Sequence, residues 1–323
     1  DTGCRHPRQP HRPSHTETSF RGDANSLGMA TIVPGSATQS LAAALAAADC
    51  GSLTVPTYER FADGETLAAV PEFDDSEAII VASTVDNDAH IELLQLQDAV
   101  REAGASDVTT VIPYLGYGRQ DAAFTHGEPV SARAVARAIS TGTDRVVLVD
   151  PHEPSVADFF DVPTTTVTAA GQLATPLGDL DEPLFVAPDA GATGLAEATR
   201  DAYGHGETDY FEKDRDYDTG EVEITPSDAA VEGRDVVLVD DIIATGGTMS
   251  GAIEALHERD VGRVYACCVH PVLAGAARTK LAAAGVERVI GTDTLERAVS
   301  EVSVAPAVAD ALTDAVADEP TQG

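Results

Sequence analysis

The chain has 323 residues, 43% of them hydrophobic but only 5% aromatic, and sets 54 acidic side chains against 20 basic ones for a formal net charge of −34. That length suffices for two domains with separate cores, while a charge of this sign, with no basic stripe to neutralise phosphates, excludes a nucleic-acid binder. The acids are spread along the chain instead of gathered in one tail, which predicts self-repulsion in dilute buffer and adaptation to concentrated salt.

Residues 1–28 hold Arg5, Arg8, Arg12 and Arg21 with three histidines and three prolines, and show no periodicity. They read as a disordered N-terminal extension, with Met29 opening the first strand. From there, short β-branched runs alternate with Ala-rich helical stretches. Strands are expected at 30–33, 78–82, 108–112, 145–149, 184–187, 235–239, 264–269 and 287–290, and helices at 36–48, 88–103, 131–140, 192–203, 248–259 and 273–284. This alternation predicts an α/β fold, two similar mainly parallel sheets with helices on both faces. The runs 145–150 and 235–240 both read VVLVD after their first residue, which hints at two related halves. The division is expected at 168/169, giving an N-terminal domain 29–168 and a C-terminal domain 169–323 ending in an acidic tail.

Cys4, Cys50, Cys267 and Cys268 lack C-x-x-C spacing and form neither a zinc site nor a disulfide framework. Cys267 and Cys268 sit in the apolar run from Val264 to Val269, read as a buried strand. No apolar stretch approaches the roughly 18 residues of a membrane span. The opening segment lacks the apolar core of a secretory signal, so a cytoplasmic protein is expected.

The most specific stretch is Val236 to Ser250, VVLVDDIIATGGTMS. A buried strand delivers Asp240 and Asp241 to its carboxyl end, the binding edge of an open parallel sheet. Thr245, Gly246, Gly247 and Thr248 then lead into a helix. Two glycines allow a tight turn with successive N–H groups exposed, the threonines add hydroxyls, and the helix start adds its positive end. That is a cradle for one phosphate, with acids placed for ribose hydroxyls. An ordinary strand–turn–helix connection would explain the glycines but not two acids followed by T-G-G-T. The loop resembles the phosphoribosyl-diphosphate motif of the type I phosphoribosyltransferase fold, with Ala244 standing where many members carry an acid.

Other segments are similar to the ribose-phosphate diphosphokinases in particular. They are Phe61-Ala-Asp-Gly-Glu65, Pro113-Tyr-Leu-Gly-Tyr-Gly-Arg-Gln-Asp121, Asp150-Pro-His152, Phe159-Phe-Asp-Val-Pro163 and Tyr265-Ala-Cys-Cys-Val-His-Pro-Val-Leu273, in family order. The resemblance implies a magnesium-dependent enzyme that makes 5-phosphoribosyl 1-diphosphate and AMP from ATP and ribose 5-phosphate. It implies that Arg119 and Gln120 hold ATP, and that Phe61, Asp63 and Glu65 hold its adenine end from a neighbouring subunit, so that the chain forms at least a homodimer. His152 and Asp189 would place Mg2+. Lys213 and Arg215 would lie on a mobile catalytic loop, Arg215 also reaching ribose 5-phosphate, while Asp240, Asp241 and residues 245–248 bind that substrate. Ala122 and Ala123 depart from the family, where basic residues often follow R-Q-D.

Lys213 also stands out without the resemblance. It is one of two lysines in the chain and sits in the polar stretch Glu212-Lys-Asp-Arg-Asp216, whereas Lys280 reads as the solvated face of a helix. Two rival readings are a phosphoribosyltransferase that consumes the product and a non-catalytic regulatory relative. The first leaves R-Q-D and F-A-D-G-E unexplained; the second would be expected to have lost the loop cations or the metal ligands.

Overall fold

The computed structural model of the chain describes residues 30–215, 222–225 and 230–317. The expected extension at 1–28 and the end of the acidic tail lie outside the described residues. In the first half, β1 (Thr31–Pro34), α1 (Gln39–Ala47) and the two-residue β2 (Ser52–Leu53) precede a hairpin of β3 (Thr57–Arg60) and β4 (Thr66–Ala69). Then come β5 (Glu77–Val81), α2 (Asn87–Glu102), β6 (Asp107–Ile112), α3 (Ser131–Ser140), β7 (Arg145–Val149) and β8 (Thr164–Val167). A 3-10 stretch, Ala170–Leu177, passes to the second half.

There, β9 (Leu184–Ala187), α4 (Thr193–Tyr203) and β10 (Glu207–Tyr210) are followed by β11 (Glu212–Arg215) and β12 (Val222–Thr225), an antiparallel ribbon. The half closes with β13 (Val236–Ile242), α5 (Gly247–His257), β14 (Val264–His270), α6 (Ala277–Ala283), β15 (Arg288–Thr292), β16 (Ser300–Val302) and α7 (Ala305–Ala317).

The first sheet runs β2-β1-β5-β6-β7-β8 and the second β10-β9-β13-β14-β15-β16, with parallel pairing throughout. The winding is the same in both, so β5 corresponds to β13 and β7 to β15. The VVLVD resemblance is therefore not the structural repeat, because it equates β7, fifth in its sheet, with β13, third in the other. Both strands are buried on two faces, and that shared demand for Val and Leu is enough to make them look alike.

Side-chain alternation divides each strand between two cores. Val236 and Leu238 face a cluster with Met249, Ile253 and Leu256 of α5, while Val237 and Val239 face a larger cluster common to both halves. Ala78 and Ile80 turn toward Leu93 and Leu96 of α2, and Ile79 and Val81 toward the common core. Cys267 and Cys268, neighbours in sequence, point to opposite sides of the second sheet, and both are free and buried.

The halves also exchange cover. The 3-10 stretch 170–177 packs on β14, β15, β16 and α4, whereas α7, from the end of the chain, returns to α1, β7 and β8 of the first sheet. The hairpin β3–β4 was absent from the expected elements; three of its four β4 residues and all of β3 are at least partly exposed, so it lacks a buried alternating face. Among the described residues, no helix is long and apolar enough to cross a membrane.

Candidate active site

The carboxyl ends of β7 and β13 face each other across a cavity of about 850 Å³. From the first half come Arg119, the segment 150–154 after β7, and Thr168. From the second half come Asp189, the start of α4, and residues 240–249. The site thus belongs to neither sheet alone.

Its floor is the phosphate-type loop. Gly246 is the N-cap of α5 with φ +77°, a left-handed conformation that glycine adopts at no steric cost, and no side chain caps the helix. The first N–H groups of α5 are therefore left for a ligand, together with the positive end of the helix. A Cβ at Gly246 would also meet the Cα, Cβ and carbonyl oxygen of Ala277 at 3.2–3.3 Å, so α6 holds the turn from behind.

The wall beside it is acidic. His152 Nδ1 donates to Asp241 Oδ2 at 2.6 Å, with the imidazole 39% and the carboxylate 17% exposed. The hydrogen bond to Asp241 raises the His152 pKa against the opposing effect of burial. Burial alone would raise Asp241, but His152, with Asp240 and His270, holds it below the ordinary carboxylate value. Asp240 is driven well above that value by burial and by the charges of Asp241 and Asp189. The pair divides its protons accordingly: Asp241 keeps the negative charge and Asp240 resists a second one. Among the described residues, no three His, Cys, Asp or Glu side chains converge as a ready metal cluster.

The residues singled out in the sequence fall into three groups. Arg119, His152, Asp189, Asp240, Asp241, Thr245, Gly246, Gly247 and Thr248 all line the cavity. Asp189 accepts from the Gly191 N–H at 3.0 Å and so caps the turn before α4. Gln120 does not line it; its side-chain oxygen accepts from Ser131 Oγ at 2.6 Å, at the start of α3. Phe61, Asp63 and Glu65 form the β3–β4 turn, Phe61 being 46% exposed, and none of them lines the cavity of its own chain. Lys213 and Arg215 lie in β11, a strand of the ribbon; their side chains are outside the described residues.

Sequence reasoning missed Thr168, Tyr114 and His270. Thr168 follows β8 and joins the wall. The Tyr114 ring lies 5.2 Å from that of His270, and burial pushes its phenol up while the nearby Arg119 charge opposes that. Tyr114 and His270 both stand inside quoted motifs, so a signal existed, but their neighbours in space come from the other half of the chain.

Known proteins define the class first. Residues 169–305 match the phosphoribosyl transferase domain, and residues 30–142 match the N-terminal domain of ribose phosphate pyrophosphokinase. The ribose-phosphate pyrophosphokinase of Halobacterium salinarum is 61% identical over 283 residues, covering 87% of this chain and 100% of that protein. Its counterpart from Methanothermobacter thermautotrophicus is 42% identical over 286 residues, covering 88% of this chain and 100% of that one. The crystal structure of phosphoribosylpyrophosphate synthetase from Mycobacterium smegmatis has a TM-score of 0.76 at 29% identity, covering 90% of this chain and 99% of that chain. The chain belongs to the ribose-phosphate pyrophosphokinase family and is an enzyme of that transferase class.

Proposed function

We propose that the chain transfers the diphosphoryl group of ATP to the anomeric hydroxyl of ribose 5-phosphate, giving 5-phosphoribosyl 1-diphosphate and AMP. The observation that carries this reading is the cavity in which the uncapped start of α5 faces Arg119 and His152 from the other half. Residues 245–248 would take the 5-phosphate, and Asp240 and Asp241 the ribose hydroxyls. Arg119 would bind ATP phosphates opposite them. The anomeric hydroxyl forms a bond from its oxygen to the β-phosphorus and loses its proton to water, while the bond from that phosphorus to the α–β bridging oxygen breaks and AMP leaves with that oxygen. Such a transfer needs in-line placement and neutralised charge more than covalent help from the protein.

Mg2+ suits the oxygen donors here, since Asp240 is held above its usual pKa by burial and then by the charges of Asp241 and Asp189, and a hard cation beside it would favour loss of that proton. Asp189 and His152 are the residues assigned to hold it, and the ion would supply charge neutralisation at the phosphoryl oxygens. Lys213 and Arg215 would add cationic donors from the β11–β12 ribbon, Arg215 reaching ribose 5-phosphate as well. The exposed turn of Phe61, Asp63 and Glu65, remote from its own cavity, supports a shared adenine site and hence a homo-oligomer of at least two chains. The proposed setting is the cytoplasm of a salt-adapted cell, in keeping with the net charge of −34, and the proposed division at 168/169 makes the first half the ATP side.

The test is AMP release from ATP, magnesium and ribose 5-phosphate in concentrated KCl. Turnover that requires both substrates is expected; hydrolysis of ATP without ribose 5-phosphate, or no AMP at any salt concentration, would overturn the reading.

A further inference from the structure

The loop that carries His152 hangs on one residue. Asp150, directly after β7, has φ +35°, a region that non-glycine residues rarely occupy and that persists only when the surroundings enforce it. Each polar group of Asp150 is held. Its N–H donates to the Val167 carbonyl at 2.9 Å, its carboxylate accepts from the Ala169 N–H at 2.6 Å, and its carbonyl lies 3.0 Å from His270 Nε2. The first two contacts come from the last residue of β8 and from Ala169 just beyond it. The third crosses 120 residues to the last position of β14 in the other half.

A carbonyl oxygen can only accept, so His270 Nε2 carries a proton and donates it. Burial depresses the imidazole's basicity, and Nδ1 lies 3.0 Å from the Thr294 hydroxyl, which also reaches the Val269 carbonyl at 2.8 Å. The Thr292 hydroxyl donates beside it to the Val269 carbonyl at 2.7 Å. Thr294 is in turn tied back to the first sheet, where Ser83 Oγ donates to the Thr294 carbonyl at 2.6 Å and accepts from the Tyr114 N–H at 3.2 Å. His270, Thr294 and Ser83 are all at most 2% exposed. This is a buried chain of hydrogen bonds from β5 through the loop after β15 to β14, ending on the carbonyl two residues before His152.

The geometry points to His270 as a positioning residue for the reaction: its Nε2–H holds the Asp150 carbonyl and thereby sets His152 against Asp241. Ile242, beside Asp241, pairs with His270 in the β13–β14 register. Adjacent strands of the second sheet therefore grip the loop of the first at two points, one by carboxylate and one by imidazole. If the grip on Asp150 is lost, its carbonyl is left buried without a donor and the loop is free to turn. The inference rests on the assignment of His152 to the reacting centre. A misplacement of about 1 Å at such a centre can cost on the order of 100-fold in rate.

Two amide substitutions separate the donor from the packing. The side-chain nitrogen of His270→Gln reaches the place of Nε2, whereas that of His270→Asn reaches only the place of Nδ1. His270→Asn is expected to fold and to lower kcat by about 10- to 100-fold with the KM for ribose 5-phosphate changed by less than about threefold. His270→Gln is expected to stay within about threefold of the wild type. Crystal structures without substrate should show the His152–Asp241 contact broken in His270→Asn and kept in His270→Gln. Equal activity of both variants, equal impairment of both, or an unmoved His152 in an impaired His270→Asn would overturn the proposal. If His270→Asn does not fold, nitrogen NMR of the wild-type imidazole decides: a protonated Nε2 shielded from exchange supports the clamp, and an unprotonated Nε2 refutes it. Because His152 is located in the unliganded protein, a wild type that releases no AMP would sink the proposed activity without touching the clamp.

Discussion

His152 donates to Asp241 at 2.6 Å across 89 residues of sequence, and the contact joins the end of the first sheet to the end of the second. The two sheets share one winding. On the equivalent side, the loop after β15 reaches back to the first sheet, where Thr294 accepts from Ser83 and Glu296 accepts from the Ser40 N–H at 2.6 Å. One junction encloses a cavity of about 850 Å³; the other joins the halves through these two hydrogen bonds.

Lys213→Ala should lower kcat by about two to three decades, the usual cost of losing one charge-stabilising group, with much less change in KM. AMP release under saturating substrates in concentrated KCl measures this. A raised KM with unchanged kcat would make Lys213 a binding group instead.

Gly246→Ala should weaken the phosphate cradle. The position has φ +77° and its Cβ would press on Ala277. Strain of this kind costs roughly 1–3 kcal/mol, and if it falls on the bound state the KM for ribose 5-phosphate should rise roughly 5- to 100-fold on the ordinary conversion of about 1.4 kcal/mol per decade. Urea unfolding and steady-state kinetics would read the two effects separately; a variant with wild-type KM would move the phosphate site elsewhere.

His270 links stability to pH. Burial lowers its pKa in the fold, whereas the unfolded value is about 6.5. Its contribution is complete above that value and is lost as pH falls toward the folded pKa, because the unfolded chain then takes up a proton that the folded chain refuses. The slope can approach about 1.4 kcal/mol per pH unit. The stability difference between wild type and His270→Gln, measured in urea at fixed KCl, should be flat above about pH 7 and shift against the wild type toward pH 5. A constant difference across that range would mean that His270 titrates alike in both states.

Salt should stabilise the whole molecule. With a net charge of −34, repulsion acts over about 10 Å at 0.1 M salt but only about 3 Å at 1 M. Tm is expected to rise by on the order of 10 °C or more between 0.1 and 2 M KCl. A Tm insensitive to KCl would show that the acids are already compensated within the fold.

Much of the architecture was legible because two-sided burial leaves a plain mark. Runs 145–149 and 184–187 are strands over those same residues, and 131–140 is a helix over its whole expected span. The T-G-G-T loop was legible for a local reason, since its turn and its uncapped helix start depend on neighbours in sequence. Burial also misled, making β7 and β13 look like repeats when the winding pairs β7 with β15. The β3–β4 hairpin, the short strands β2, β8, β10, β11, β12 and β16, and α7 went unread. The hairpin has little buried alternation, and α7 owes its place to packing on α1, β7 and β8 at the far end of the chain.

The sequence by itself marked most of the buried strands, the helices up to α6, the glycine turn before α5 and the family resemblance, since these rest on side-chain period, turn chemistry and motif order within short windows. Tertiary structure alone decided that His152 meets Asp241, that His270 holds Asp150, that Gln120 serves α3, and that Phe61, Asp63 and Glu65 stand away from their own cavity. Those relationships depend on how two sheets bury their inner faces against one another. The free energy of that burial is shared among dozens of apolar residues and points to no single pair in the sequence.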